Sequence, residues 1–153
     1  MGIKTVCEDT FGLLYRHALG TENPYADLNR SLENLENIVH TMRLFYYLTL
    51  VARELGVELP PEGEFEQNFR LLLREVLKRF HRLYAEEFPN LSEDDLVLAF
   101  TEGRNLSIGR VDPQVEDLII LLLGFLVDKT LSEVYTTTKI KNLVRELLGP
   151  DSL

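Results

Sequence analysis

The chain has 153 residues, 45% of them hydrophobic and 27% charged, with nine glycines and six prolines. This fits one domain over residues 1–153, able to bury roughly 70% of its unfolded surface, and excludes a disordered, collagen-like or low-complexity chain. A net charge of −9 argues against broad adsorption to nucleic acid or membranes, and a lone cysteine, Cys7, excludes a disulfide framework and a thiolate zinc site.

Glu8, Asp9, Arg16 and His17 interrupt the first twenty residues, so no signal peptide is expected there. The longest apolar run, Leu118–Val127, has ten residues, and a transmembrane helix needs about 20. A cytoplasmic location with no membrane span is therefore expected.

Helical periodicity dominates, and no segment sustains the alternation of a strand. A first helix is expected over Ile3–Leu19, stopped by Gly20. Asn23 and Pro24 then form a cap followed by a first-turn proline, and the pattern runs on to Leu55, where Gly56 ends it. At 1.5 Å per residue this helix is about 48 Å long. Along it Tyr25, Leu28, Leu32, Leu35, Val39, Met42 and Tyr46 recur in alternating steps of four and three, a coiled-coil-like seam. After Ile38 the apolar face widens to include Phe45, Leu48, Val51 and Ala52, as expected of a helix that touches two neighbours there.

Two readings of the seam stand side by side: a long helix within one bundle, or a helix whose N-terminal half pairs with another chain. A domain of this length has a radius of gyration near 15 Å, so part of so long a helix is expected to lack cover from its own chain. Tyr25, Leu28, Leu32, Leu35 and Val39 are accordingly the candidate oligomer interface.

Val57–Gly63 holds Pro60, Pro61 and Gly63 and reads as a loop. A helix over Glu64–Glu87 follows, with Phe65, Phe69, Leu72, Val76, Phe80, Leu83 and Tyr84 as its buried stripe. Pro89 and Asn90 break the chain, and Ser92 with Asp95 three residues on starts a short helix that stops at Gly103. Arg104–Val111 reads as a polar loop. Asp112-Pro113 launches the most apolar helix, expected to continue through Leu118–Val127 to about Tyr135, where Thr136-Thr137-Thr138 weakens it. Ile140, Leu143, Val144 and Leu147 form a last amphipathic stretch, closed by Gly149-Pro150. The expected fold is all-α, a mostly antiparallel bundle of four to six helices with Leu118–Val127 at its centre.

Charge is unevenly spread. Residues 64–85 carry five basic and three acidic groups, against five and nine before them and six and thirteen after. Arg70, Arg74, Lys78 and Arg82, four apart, form one ridge on a helix surface. That ridge reads either as a face paired with acidic neighbours such as Glu86, Glu87 and the 93–95 triplet, or as a track for a phosphate backbone. No glycine-rich phosphate loop or set of base-stacking aromatics accompanies it.

The three histidines lie on different expected helices, and Glu36 with His40 lacks the Glu-x-x-His spacing of bundle metal sites. No metal, no cofactor and no catalytic residue is expected.

Phe100-Thr-Glu-Gly-Arg104-Asn105-Leu-Ser-Ile-Gly-Arg110 lies at a helix junction. It resembles the signature of the HEPN helical bundles and of the substrate-binding partners of minimal nucleotidyltransferases, in which an Arg and a polar residue precede a His. The Phe65-Glu66-x-x-Phe69 opening, continuing to Leu77-Lys78, is similar to a long helix of that substrate-binding group. The resemblance implies a helical bundle that handles nucleotides or RNA, with Arg104 and Asn105 at its site. Gly109 stands where the His belongs, so the Arg–His pair that would act on RNA is incomplete.

The reading favoured by the sequence is a non-catalytic interaction module, a self-associating subunit or adaptor. The alternative is a HEPN-like protein, or a small nucleic-acid-binding subunit using Arg70, Arg74, Lys78, Arg82, Arg104 and Asn105. The expected partner is a second copy or another protein subunit, with nucleic acid not favoured and no membrane.

Overall fold

A computed structural model describes residues 24–61, 63–127 and 129–153. The helix expected over Ile3–Leu19, the cap at Asn23 and the side chain of Tyr25 lie outside the described part. The fold is all-α, with five α-helices among the described residues: α1 (Pro24–Glu54), α2 (Phe65–Leu83), α3 (Glu93–Thr101), α4 (Pro113–Val127) and α5 (Lys129–Leu148). Two single-turn 3₁₀ segments, Ala85–Glu87 and Pro150–Ser152, and a small β-hairpin complete it.

The core forms where the inward faces of these helices meet. α2 is amphipathic and buries Phe69, Leu72, Leu73, Val76, Leu77 and Phe80 along one face. α1 contributes Leu44, Leu48, Val51 and Ala52, and α4 contributes Val115, Leu118, Ile119 and Leu122. α1 packs against both α2 and α4, which accounts for the widening of its apolar face. Its contact with α2 is aromatic: the Phe45 ring lies 5.2 Å from that of Phe65 and 5.9 Å from that of Phe69, both tilted.

Three features differ from expectation. α2 stops at Leu83, because Tyr84 leaves helical geometry (φ −124°, ψ 34°) and the chain tightens into the 3₁₀ turn before Phe88 folds back onto the Phe80 and His81 rings. His81 is held there as well: its Nε2 lies 2.7 Å from the Leu91 carbonyl, which can only accept, so Nε2 carries the proton. The most apolar helix ends at Val127 rather than Tyr135, and Thr136–Thr138 sit inside α5. Thr136 and Thr137 are buried, so tertiary packing overrides the weak helix preference of threonine.

α4 is covered on most sides, with Leu121, Leu123 and Leu126 half-buried against the core. Leu118, Ile119, Leu122 and Phe125 are buried, whereas Ile120 and Gly124 are exposed. The third difference is Arg104–Val111, which contains a β-hairpin. Leu106 pairs with Val111 and Ser107 with Arg110, around a turn at Ile108 and Gly109. Gly109 has φ +85°, a conformation that glycine adopts without strain.

Candidate interaction surface

The helix cap signals lead directly to the side chains that matter. Ser92 accepts a hydrogen bond from the Asp95 N–H at 3.1 Å, capping α3 as expected. Pro113 opens α4, but the Asp112 carboxylate is turned toward the hairpin: it accepts the Asn105 backbone N–H and the Asn105 side-chain amide, each at 3.3 Å. The Asp112 N–H donates in turn to the Asn105 carbonyl at 3.0 Å, so this pair closes the base of the hairpin. Its tip is clasped to α1, where the Gly109 N–H donates to the Thr41 hydroxyl at 3.0 Å. Beside it His40 Nε2 lies 2.7 Å from a Glu116 carboxylate oxygen on α4.

The residues of the basic ridge are drawn apart by their own partners. Arg70 donates to the carbonyls of Thr101 and Arg104 at the C-terminal end of α3, and its guanidinium lies 3.8 Å from Glu66. Arg104 donates through Nε to the Ala99 carbonyl at 3.2 Å, satisfying a carbonyl that the helix end leaves free. Two cations at the negative end of a helix dipole are also favourably placed. Arg82 forms a two-pronged bond to Glu93, Nε and Nη2 each 3.1 Å from a carboxylate oxygen. That hydrogen bond raises the Arg82 pKa above its already high ordinary value. Arg74 lies 3.4 Å from its neighbour Glu75. Among the four ridge cations, Arg74 and Lys78 are the two not tied to another element by a bond between described residues, and Arg110 of the hairpin is likewise exposed.

The seam of α1 divides into two parts. Leu28 is buried, with 2% of its surface exposed, which corrects its assignment to an open interface. Periodicity fixes the side of the helix on which a residue stands, not what lies beside that turn. Leu32 is half-buried. Leu35, Val39, Met42 and Tyr46 are open to solvent, with 56%, 50%, 56% and 58% of their surface exposed. At 100° per residue these four fall within about 60° of one another on the helix circumference, opposite the side that carries Leu44, Leu48 and Val51 into the core. The result is a straight apolar stripe three turns long on the outer face of the molecule.

The flanks of the stripe differ. Glu36 and Arg43, seven residues apart, line one flank, and both are exposed with no partner among the described residues. Ser31, Ile38 and Phe45, all half-buried, line the other; Ile38 lies beside Gly109 of the hairpin and Phe45 against α2, and α1 places no charge among them. Sequence reading found the stripe through its spacing but missed this flank, because charges at i and i+7 gain meaning only once the inward face is known.

Among the described residues no group of three or more His, Cys, Asp or Glu side chains is placed to hold a metal ion, and no helix is long and apolar enough to cross a membrane. A groove of about 510 Å³ runs past Leu91, Leu98, Arg104 and Leu148. Comparison with family models, with curated proteins and with solved structures gave no match.

Proposed function

We propose that the protein is a non-catalytic helical interaction module, a cytoplasmic subunit that self-associates through the outer stripe of α1. The observation that carries this reading is the exposure of Leu35, Val39, Met42 and Tyr46 in one line. Single exposed apolar side chains are ordinary, but a contiguous patch on the order of 400 Å² is of the size that marks an interaction surface on a monomer. The residues behind the HEPN resemblance also support a structural role: Asn105 braces the hairpin and Arg104 caps α3.

A stable protein interface buries about 800 Å² on each partner. The stripe, on the order of 400 Å², is smaller than that, so self-association is expected to be weak, with a micromolar Kd. Sedimentation equilibrium at 10–200 μM (~) tests it, a range that brackets such a constant. The wild type should shift from monomer to dimer with concentration, and Leu35→Glu with Val39→Glu should remain monomeric with unchanged helical circular dichroism. A wild type that stays monomeric throughout, or a dimer that tolerates both substitutions, would reject the reading.

A further inference from the structure

We infer that the second copy lies antiparallel on the stripe, with Glu36 of each chain facing Arg43 of the other. This rests on the reading of α1 as a self-association surface and adds the direction and register of pairing.

The argument starts from the unequal flanks. When two identical helices pair in parallel, the left flank of one meets the right flank of the other. When they pair antiparallel, like flanks meet. Parallel pairing would set Glu36 and Arg43 against the uncharged Ser31, Ile38 and Phe45 side, leaving both charges beside apolar groups. Antiparallel pairing sets the charged flank of one copy against that of the other. Reversal then exchanges the two ends, so the acid of each helix meets the base of its partner.

The register follows from the stripe itself. A two-fold axis crossing α1 near His40 and Thr41 brings Val39 opposite Met42 and Leu35 opposite Tyr46. The same axis leaves Glu36 of one copy nearly level with Arg43 of the other, since the two lie at similar distances on either side of it. Apolar fit and charge fit therefore select the same alignment. Neither residue has a competing partner among the described residues that would have to be given up. The bond from the Gly109 N–H to the Thr41 hydroxyl and the contact of His40 with Glu116 lie off the stripe, so the hairpin and α4 hold this part of α1 and leave Leu35, Val39, Met42 and Tyr46 exposed.

Charge reversal tests the pairing. Glu36→Arg alone and Arg43→Glu alone each place like charges together twice in a homodimer, and each should weaken self-association by about tenfold. An equimolar mixture of the two variants should associate at least as well as the wild type, and the double variant Glu36→Arg/Arg43→Glu should recover it. Direction is read separately by oxidation of cysteine variants in a Cys7→Ser background. In an antiparallel pair Leu35→Cys stands about 16 Å along the helix from its own equivalent, eleven residues at 1.5 Å each. It should cross-link with Tyr46→Cys and not with itself.

The outcomes separate the two claims. Absence of wild-type association rejects the function proposed above. Association that is lost in Leu35→Glu but indifferent to the charge reversals rejects the Glu36–Arg43 pairing. Self-linking of Leu35→Cys, without linking to Tyr46→Cys, rejects the antiparallel direction.

Discussion

α1 and α2 are both rich in apolar residues, and they use them differently. In α2 most apolar residues fall on one face that is buried from Phe69 to Phe80, Leu83 alone of the expected stripe being exposed at its end, and the other side carries Gln67, Arg74, Arg79 and Arg82. In α1 the inward face is buried in the same way, yet the outward face carries a second apolar line at Leu35, Val39, Met42 and Tyr46. A helix that needed only to complete its own core would look like α2. α1 therefore keeps an apolar line in solvent after packing against both α2 and α4.

The sharpest test of that contrast is stability. Phe69 is fully buried and packs against both the Phe45 and Phe65 rings, so Phe69→Ala should cost about 3–5 kcal/mol through lost transfer energy and the cavity left behind. Met42→Ala removes a side chain of comparable hydrophobicity from the outer stripe. It should change the stability of the monomer by less than about 0.5 kcal/mol, as is usual at surfaces. Urea denaturation at low protein concentration, where the monomer dominates, measures both. A large loss in Met42→Ala under those conditions would show that the stripe is covered by its own chain.

A second, smaller effect probes the polar side of α2. Arg70 reaches away from the ridge to two carbonyls at the end of α3. Arg70→Met keeps much of the apolar stem and removes the donors, so about 1–2 kcal/mol of stability should be lost, the ordinary cost of leaving such acceptors without a charged partner. Arg104→Ala, which removes one such bond, should cost roughly half as much, in line with a single hydrogen bond of about 1 kcal/mol. Thermal unfolding followed by circular dichroism would order the two. A neutral Arg70→Met would show that water serves those carbonyls equally well.

How much of this was legible in the sequence depended on whether a feature was local. The cap at Ser92, the proline start of α4 and the buried stripe of α2 as far as Phe80 follow from spacing and turn chemistry and are present, whereas Leu83, expected in that stripe, stands exposed where α2 ends. The hairpin was not legible, because strands of two residues are too short to show alternation. It is held by Asn105–Asp112 at its base and by Thr41, sixty-eight positions away, at its tip. The end of α4 was misplaced for a similar reason: threonine disfavours helix locally, and only the packed fold shows Thr136 and Thr137 buried. In the candidate surface, spacing found Leu35 and Val39 but also included Leu28. The flanking pair Glu36 and Arg43 emerged only when the core fixed which side of α1 faces out.

The smallest expected effect is on nucleic acid, where no binding should be seen. Four cations at i, i+4, i+8 and i+12 look on paper like a track for phosphates, and affinity for a single strand grows with the number of phosphates neutralised, each adding about 0.7 to the salt slope. The fold removes half of that track. Arg70 is committed to α3 carbonyls and Arg82 to Glu93, while Arg79 beside them donates to the Leu55 carbonyl at 3.0 Å. Arg74 and Lys78 remain, with Glu75 3.4 Å from the Arg74 guanidinium. Two cations on a chain of net charge −9 have little reach, because screening at physiological salt limits their field to about 8 Å. Fluorescence polarisation of a labelled single-stranded RNA at that salt should therefore stay flat into the high micromolar range. A micromolar isotherm, abolished by Arg74→Glu with Lys78→Glu, would show that the polar face of α2 is a binding surface and that the outer stripe of α1 is not the only face of this molecule open to a partner.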